Sequence, residues 1–349
     1  MQARICRLHA AHDLRVEIEA VAGPGEAEVQ IRIGAGGICG SDLHYFHDGG
    51  IGQIRVREPI IVGHEAAGRV AALGVGVTDL AIGDLVAINP SLPCRTCEYC
   101  ARHQFNHCNQ MRFMGSAYRF PHEQGMFRDV VNVPAVRVHR FANSVPVQLA
   151  ACAEPLAVCL HASSHVPDLK GARVLVTGAG PIGSLMTAVA ARRGSAETIV
   201  TDLHDLPLSV AKKMGASKTV NVVTQSGRLD PYRAGKGCFD VVFECTGAPA
   251  AIRDALEMIR PGGTIVLVGV AGEIPLALNM IVSKEIRMIG THRFHPEFAE
   301  AVHMIDSGEL DVSPIVSHSF DVDDAVEAFE LAGDRTKAVK VHLTFEGDR

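Results

Sequence analysis

An α/β fold, a parallel sheet flanked by helices beside a second, strand-rich unit, is predicted by three features of the sequence. From about residue 171 onward, short apolar runs of strand character alternate with stretches of helical periodicity, the pattern of a parallel sheet crossed over by helices. Residues 1 to about 150 carry short apolar runs broken by Gly and Pro, as in a strand-and-turn domain. The 349 residues, at roughly 150 per domain, leave room for both.

In the first unit the strand-like runs are 14–20, 28–33, 66–73, 84–89 and 127–133. In the second they are 173–177, 198–202, 218–222, 239–245, 264–270 and 286–290, with helical stretches at 181–193, 206–214 and 250–259. The run 264–270 is apolar enough to pair edge to edge with a second copy. The tail reads as an amphipathic segment at 296–305, a strand at 315–320, a helix at 323–332 and a strand at 338–345. Periodicity fits both a tail that closes the α/β unit and one that returns to the first.

With 33 basic against 39 acidic residues and a net charge of −6, the chain has no electrostatic footprint for a polyanion, so nucleic acid is not expected as a partner. No apolar stretch reaches the roughly 18 residues of a membrane span, and residues 1–19 lack a signal-peptide pattern, so no membrane association and a cytoplasmic location are expected. Ten cysteines are too sparse for a disulfide scaffold, yet four crowd between Cys94 and Cys108, which suggests a metal.

The segment from Val174 through Gly178, Gly180, Pro181 and Ile182 to Gly183 is a strand, a glycine turn and the opening of a helix. Such a turn lets backbone approach a pyrophosphate while the helix N-terminal amides face it. The next strand ends at Asp202, about 20 residues on, where a carboxylate accepts both ribose hydroxyls of NAD and repels a 2′-phosphate. NAD is therefore expected over NADP, although His204 or Lys212 is compatible with a 2′-phosphate. Cys245, Thr246, Val268 and Gly269 lie at strand ends expected to face the same crevice.

Cys94, Cys97, Cys100 and Cys108 are spaced to close a tetrahedron around zinc with no open position, a structural site; an iron–sulfur cluster is the competing occupant. A second constellation is dispersed: Cys39, His64 and Glu154 offer thiolate, imidazole and carboxylate, three ligands that leave one corner of a zinc free for chemistry.

The sequence resembles the zinc-containing medium-chain dehydrogenases, in the polyol branch that holds sorbitol dehydrogenase. The resemblance rests on Gly37 to Tyr45, Gly63-His64-Glu65, the four cysteines, Glu154-Pro155-Leu156 and the glycine turn, and it spans essentially the whole chain. Within that branch the bacterial L-idonate 5-dehydrogenases are most similar, through Met111 to Ala117, Phe120-Pro121-His122, Glu154 to Val158 and Arg293-Phe294.

The resemblance implies a doubly wound parallel Rossmann sheet at 156–290, inserted in a GroES-like β-rich catalytic domain of 1–155 and 291–349. It implies two zinc ions per chain, the catalytic one on Cys39, His64 and Glu154, the last directly or through water. Glu65 exchanges onto that metal, and Asp42 orients His64. Ser41 and His44 form a proton relay, the alternatives being Ser41 as a helix N-cap and His44 as an ordinary surface residue. Tyr45, Arg119 and Arg293 are the expected substrate contacts, with His122 a further candidate.

The implied activity is hydride transfer from a secondary alcohol of a sugar acid or polyol to NAD. L-Idonate oxidised to 5-keto-D-gluconate is the expected reaction, with sorbitol or xylitol as the alternative, in a homo-oligomer, dimer or tetramer. A dinucleotide-binding protein without catalysis is the alternative of another class, against which the complete ligand set argues.

Overall fold

The computed structural model describes residues 1–142, 144–166, 168–270 and 272–345. Two sheets organise it. One is six-stranded and parallel, in the spatial order Lys218–Asn221, Glu197–Asp202, Arg173–Thr177, Phe239–Glu244, Ile259–Leu267, Arg287–Gly290. The chain reverses direction across this sheet between Arg173–Thr177 and Phe239–Glu244, and a crevice opens there at the carboxyl ends of the strands. All six expected strands are present.

The edge expectation for 264–270 does not hold. That run belongs to Ile259–Leu267, which pairs with a strand on each side. The sheet ends instead on Arg287–Gly290. The strand also begins earlier than expected, because Ile259 already pairs with Phe239 ahead of the Pro261-Gly262-Gly263 irregularity.

The other main sheet is seven-stranded, in the order Val138–Arg140, Leu85–Ile88, Glu65–Leu73, Glu28–Gly37, Lys340–Thr344, Val316–Asp321, with Val130–Pro134 also on Glu28–Gly37. The two tail strands therefore return to the first unit, the choice periodicity left open. Its register matters for the site. Gly37 pairs with Glu65 on one side and His342 on the other, so Cys39 emerges beside His64 and Glu65. A side chain at 37 would displace the Glu65 carboxylate, since an added Cβ would stand 2.2 Å from Glu65 Oε2.

The helix Ala153–Ser164 joins the halves, packing on Pro181–Arg192 and on the tail helix Glu297–Asp306. These surfaces share one apolar core that runs from Ala35 and Ala67 to Val176 and Phe298. A small separate cluster of Cys100, Cys108, Met111 and Phe113 sits under the four-cysteine lobe.

Candidate active site

Three ligand atoms, from Cys39, His64 and Glu65, lie within 4.8 Å of one another. Cys39 caps the helix Gly40–Asp48, and Asp42 closes the cap by accepting the Cys39 N–H at 3.0 Å. Ser41 therefore sits in the first turn and is not the cap. The other oxygen of Asp42 accepts the Gly63 N–H at 3.2 Å and lies 3.6 Å from His64 Nδ1. The fully buried Asp42 thus aligns both ligand-bearing turns. Burial opposes a charged His64, but the Asp42 carboxylate and the Cys39 sulfur outweigh it and raise the pKa well above 6.5.

Glu154 opens the helix Ala153–Ser164 and lines the same cleft, outside that trio. Burial first, then Glu65 and Asp42, push its carboxyl up to about 7, against His64 and Lys340. The Glu65 carboxylate is held by Lys340 Nζ at 2.7 and 2.8 Å. A half-buried thiol, a buried imidazole and three buried carboxylates around one ammonium make a donor set suited to a divalent cation.

The cleft beside these residues encloses about 710 Å³. Its opposite wall is the glycine turn: Gly178, Gly180, Pro181, Ile182 and Gly183, with Asp202, Cys245, Thr246, Val268 and Gly269, all line it. Helix and turn pack closely here, since a Cβ on Gly183 would stand 1.7 Å from the Gly178 carbonyl oxygen. Asp202 accepts the Ala179 N–H at 2.7 Å and the His204 N–H at 3.0 Å, which fixes the carboxylate at the strand end. His204 lines the cleft. Lys212 does not, because its ammonium donates to the carbonyls of Ala216 and Ser217 at 3.0 and 2.8 Å.

Ser41 and His44 both line the cleft, and the exposed His44 is paired with Asp48 at 3.0 Å. Arg293, at φ 55°, lays its guanidinium over Phe113 at 4.2 Å, and Phe113 in turn stands 5.6 Å from the His64 ring. Tyr45 is buried, its hydroxyl accepting the Ala117 N–H at 3.2 Å. Arg119 is held by the carbonyls of Met111 and Asn109 at 2.8 and 2.7 Å, and His122 accepts the Arg57 N–H at 2.9 Å. These contacts pin the loop around Arg119 and His122, and Arg119 lies with Arg293 and Phe113 around one small recess.

The sequence reading missed Glu244 and Lys340. Glu244 is fully buried and accepts from Thr177 Oγ1 at 3.1 Å, Thr246 N at 2.9 Å and Gly247 N at 3.0 Å, tying the glycine-turn strand to the Cys245-Thr246 loop. Its position at the end of a strand, directly before Cys245-Thr246-Gly247, was the available signal. Lys340 lies in an apolar strand, and its charge there was the clue.

In the separate lobe the four cysteine sulfurs lie within 4.8 Å of one another, Cys97 and Cys108 at 4.0 Å. A zinc tetrahedron with bonds of about 2.3 Å places sulfurs about 3.8 Å apart. Hydrogen bonds from Thr96 lower Cys94 to about 6, while burial raises Cys100 to about 12; the set holds thiolates best around a cation.

Residues 25–143 match the alcohol dehydrogenase GroES-like domain and residues 181–307 the zinc-binding dehydrogenase family. The chain belongs to the zinc-binding medium-chain dehydrogenases. Among relatives of this dehydrogenase, the L-idonate 5-dehydrogenase (NAD(P)(+)) of Escherichia coli strain K12 is 39% identical over 90% of this chain and 91% of its own. The sorbitol dehydrogenase of Gallus gallus is 34% identical over 96% of this chain and 94% of its own. The crystal structure of L-idonate 5-dehydrogenase from Escherichia coli K-12 substrain MG1655 superposes with a TM-score of 0.95 at 36% identity, covering 99% of both chains. The dehydrogenase is thus a zinc-dependent, nicotinamide-linked oxidoreductase of the polyol and aldonate group. Among the described residues no helix is long and apolar enough to cross a membrane.

Proposed function

We propose that this dehydrogenase oxidises L-idonate to 5-keto-D-gluconate, transferring hydride to NAD. The observation that carries this reading is Arg293. Its guanidinium stands beside the metal-ligand histidine through Phe113 and has no carboxylate partner among the described residues. A guanidinium fork recognises a carboxylate bidentately, as a sugar acid requires and a neutral polyol does not. Zinc, when bound by Cys39, His64 and Glu154 or Glu65, lowers the pKa of the substrate hydroxyl.

The chain's own groups do the rest. Ser41 relays the hydroxyl proton, accepting it as its own hydroxyl proton leaves toward His44, which is steadied by Asp48 and releases a proton to solvent. Glu244 and Asp202 hold the loops that orient the dinucleotide. Residues 1–155 with 291–349 supply the metal and substrate, and 156–290 the dinucleotide. The free sheet edge at Arg287–Gly290, near exposed Leu278 and Val282, is where we place pairing into a dimer or tetramer.

Sorbitol or xylitol is the second reading, supported by the sorbitol dehydrogenase relatives. Initial rates on L-idonate, sorbitol and xylitol with NAD and NADP test the choice. A kcat/KM highest for L-idonate that drops at least tenfold in Arg293→Gln supports the sugar acid; a higher value for a neutral polyol rejects it.

A further inference from the structure

We infer that Arg335 is a dinucleotide-binding residue, its guanidinium meeting the pyrophosphate at the glycine turn from the opposite side of the cleft. Arg335 lies between the helix Ala325–Gly333 and the strand Lys340–Thr344. That strand pairs with Glu28–Gly37, so the loop of Arg335 is attached to the half of the molecule that carries Cys39, remote in sequence from the glycine turn. Yet it lines the cleft together with Gly178, Gly180 and Gly183, and its Nη1 lies 3.4 Å from where a Cβ on Gly180 would stand.

The electrostatics of the free protein are one-sided at this spot. Gly180 begins the twelve-residue helix Pro181–Arg192 with no side-chain cap, which leaves first-turn N–H groups unpaired at the positive end of the helix dipole. A guanidinium facing that end is repelled by it. Nothing nearby relieves the repulsion: Arg335 has no hydrogen bond or ion pair among the described residues, and the adjacent Asp334 is held by Lys337 at 2.9 Å and by Thr336. Of the two Lys or Arg side chains that line the cleft, Lys340 is committed to Glu65. Arg335 is the one left to neutralise an anion.

Uncapped helix amides on one wall and an uncommitted guanidinium on the other are complementary to a diphosphate, whose charge draws them together. Bidentate contact would make dinucleotide affinity depend on a residue of the metal-binding half. It would also link occupancy of the turn to the segment that carries Lys340 and, through it, Glu65.

The test needs no alcohol substrate and therefore stands apart from the choice between idonate and polyol. Binding of ADP-ribose by calorimetry and of NADH by fluorescence titration is measured on the full-length zinc-loaded protein, wild type, Arg335→Gln and Arg335→Lys, at low and high salt. The expected result is a dissociation constant raised about tenfold or more in Arg335→Gln, part of it recovered in Arg335→Lys, with a shallower salt dependence in the glutamine variant. Dissociation constants within twofold of wild type for both variants, at unchanged melting temperature and zinc content, would overturn the assignment.

Discussion

Lys340 Nζ lies between both carboxylate oxygens of Glu65, at 2.7 and 2.8 Å, with the two side chains almost completely buried. Burial works against the ammonium, but Glu65, with Cys39 adding to it, holds it charged and raises its pKa above 10.5. The contribution of the pair to stability is thus complete below 10.5 and is lost as pH rises through the higher folded value. Because Glu65 also stands within reach of Cys39 and His64, Lys340 and a metal compete for the same carboxylate.

Replacing Lys340 by Met leaves a buried carboxylate without its counter-ion, which costs about 3–5 kcal/mol. A zinc at Cys39 and His64 supplies that charge instead. Denaturant unfolding is expected to show the full loss in chelator-treated protein and a much smaller one in zinc-loaded protein. An equal loss in both states would separate Glu65 from the metal.

The four-cysteine lobe holds the segment of Arg293, the proposed substrate contact, in place. Asn106 Nδ2 donates to the His292 carbonyl at 3.1 Å, and Phe105 packs on His295 at 4.4 Å, gripping both sides of Arg293. Asn106→Ala removes that hydrogen bond, about 1 kcal/mol, together with the longer contact of the same amide nitrogen with His161 Nε2 at 3.5 Å. It is expected to raise KM for a sugar acid severalfold with little change in kcat, while the lobe keeps its zinc. A fall in kcat at constant KM would deny the lobe this role.

His342 is buried, and neither ring nitrogen has a partner among the described residues. Burial, then the Lys340 charge, lowers its pKa from 6.5 to about 3. The unfolded chain therefore binds a proton from 6.5 downward that the folded chain refuses until about 3, so this group makes stability fall on acidification by up to about 1.4 kcal/mol per pH unit. His342→Leu is expected to flatten the slope of unfolding free energy below pH 6.5. Parallel slopes for variant and wild type would show that His342 is protonated in the fold.

What was legible in the sequence is what local chemistry sets. The glycine turn from Gly178 to Gly183, the strand end at Asp202 and the lobe from Cys94 to Cys108 each lie within one short segment, where residue spacing alone dictates geometry. Cys39 and His64 needed family resemblance, because it is the register of Gly37 with Glu65 that brings them together. Lys340 is 275 residues from Glu65, and Arg335 reaches Gly180 across the cleft; no periodicity carries such pairings. Arg119 and His122 have a charge and position that suit a sugar acid, and nearby carbonyls and N–H groups also hold them in the loop; residue spacing does not distinguish the two roles. The run 264–270 misled because apolarity does not distinguish an edge strand from a central one.

The most direct measurement counts zinc and turnover together in Cys39→Ser and His64→Ala. Metal analysis is expected to fall from two zinc per chain to one, the four-cysteine lobe remaining filled, with NADH formation from L-idonate lost by at least a thousandfold at unchanged melting temperature and unchanged ADP-ribose binding. Turnover that persists with one zinc per chain would contradict the account.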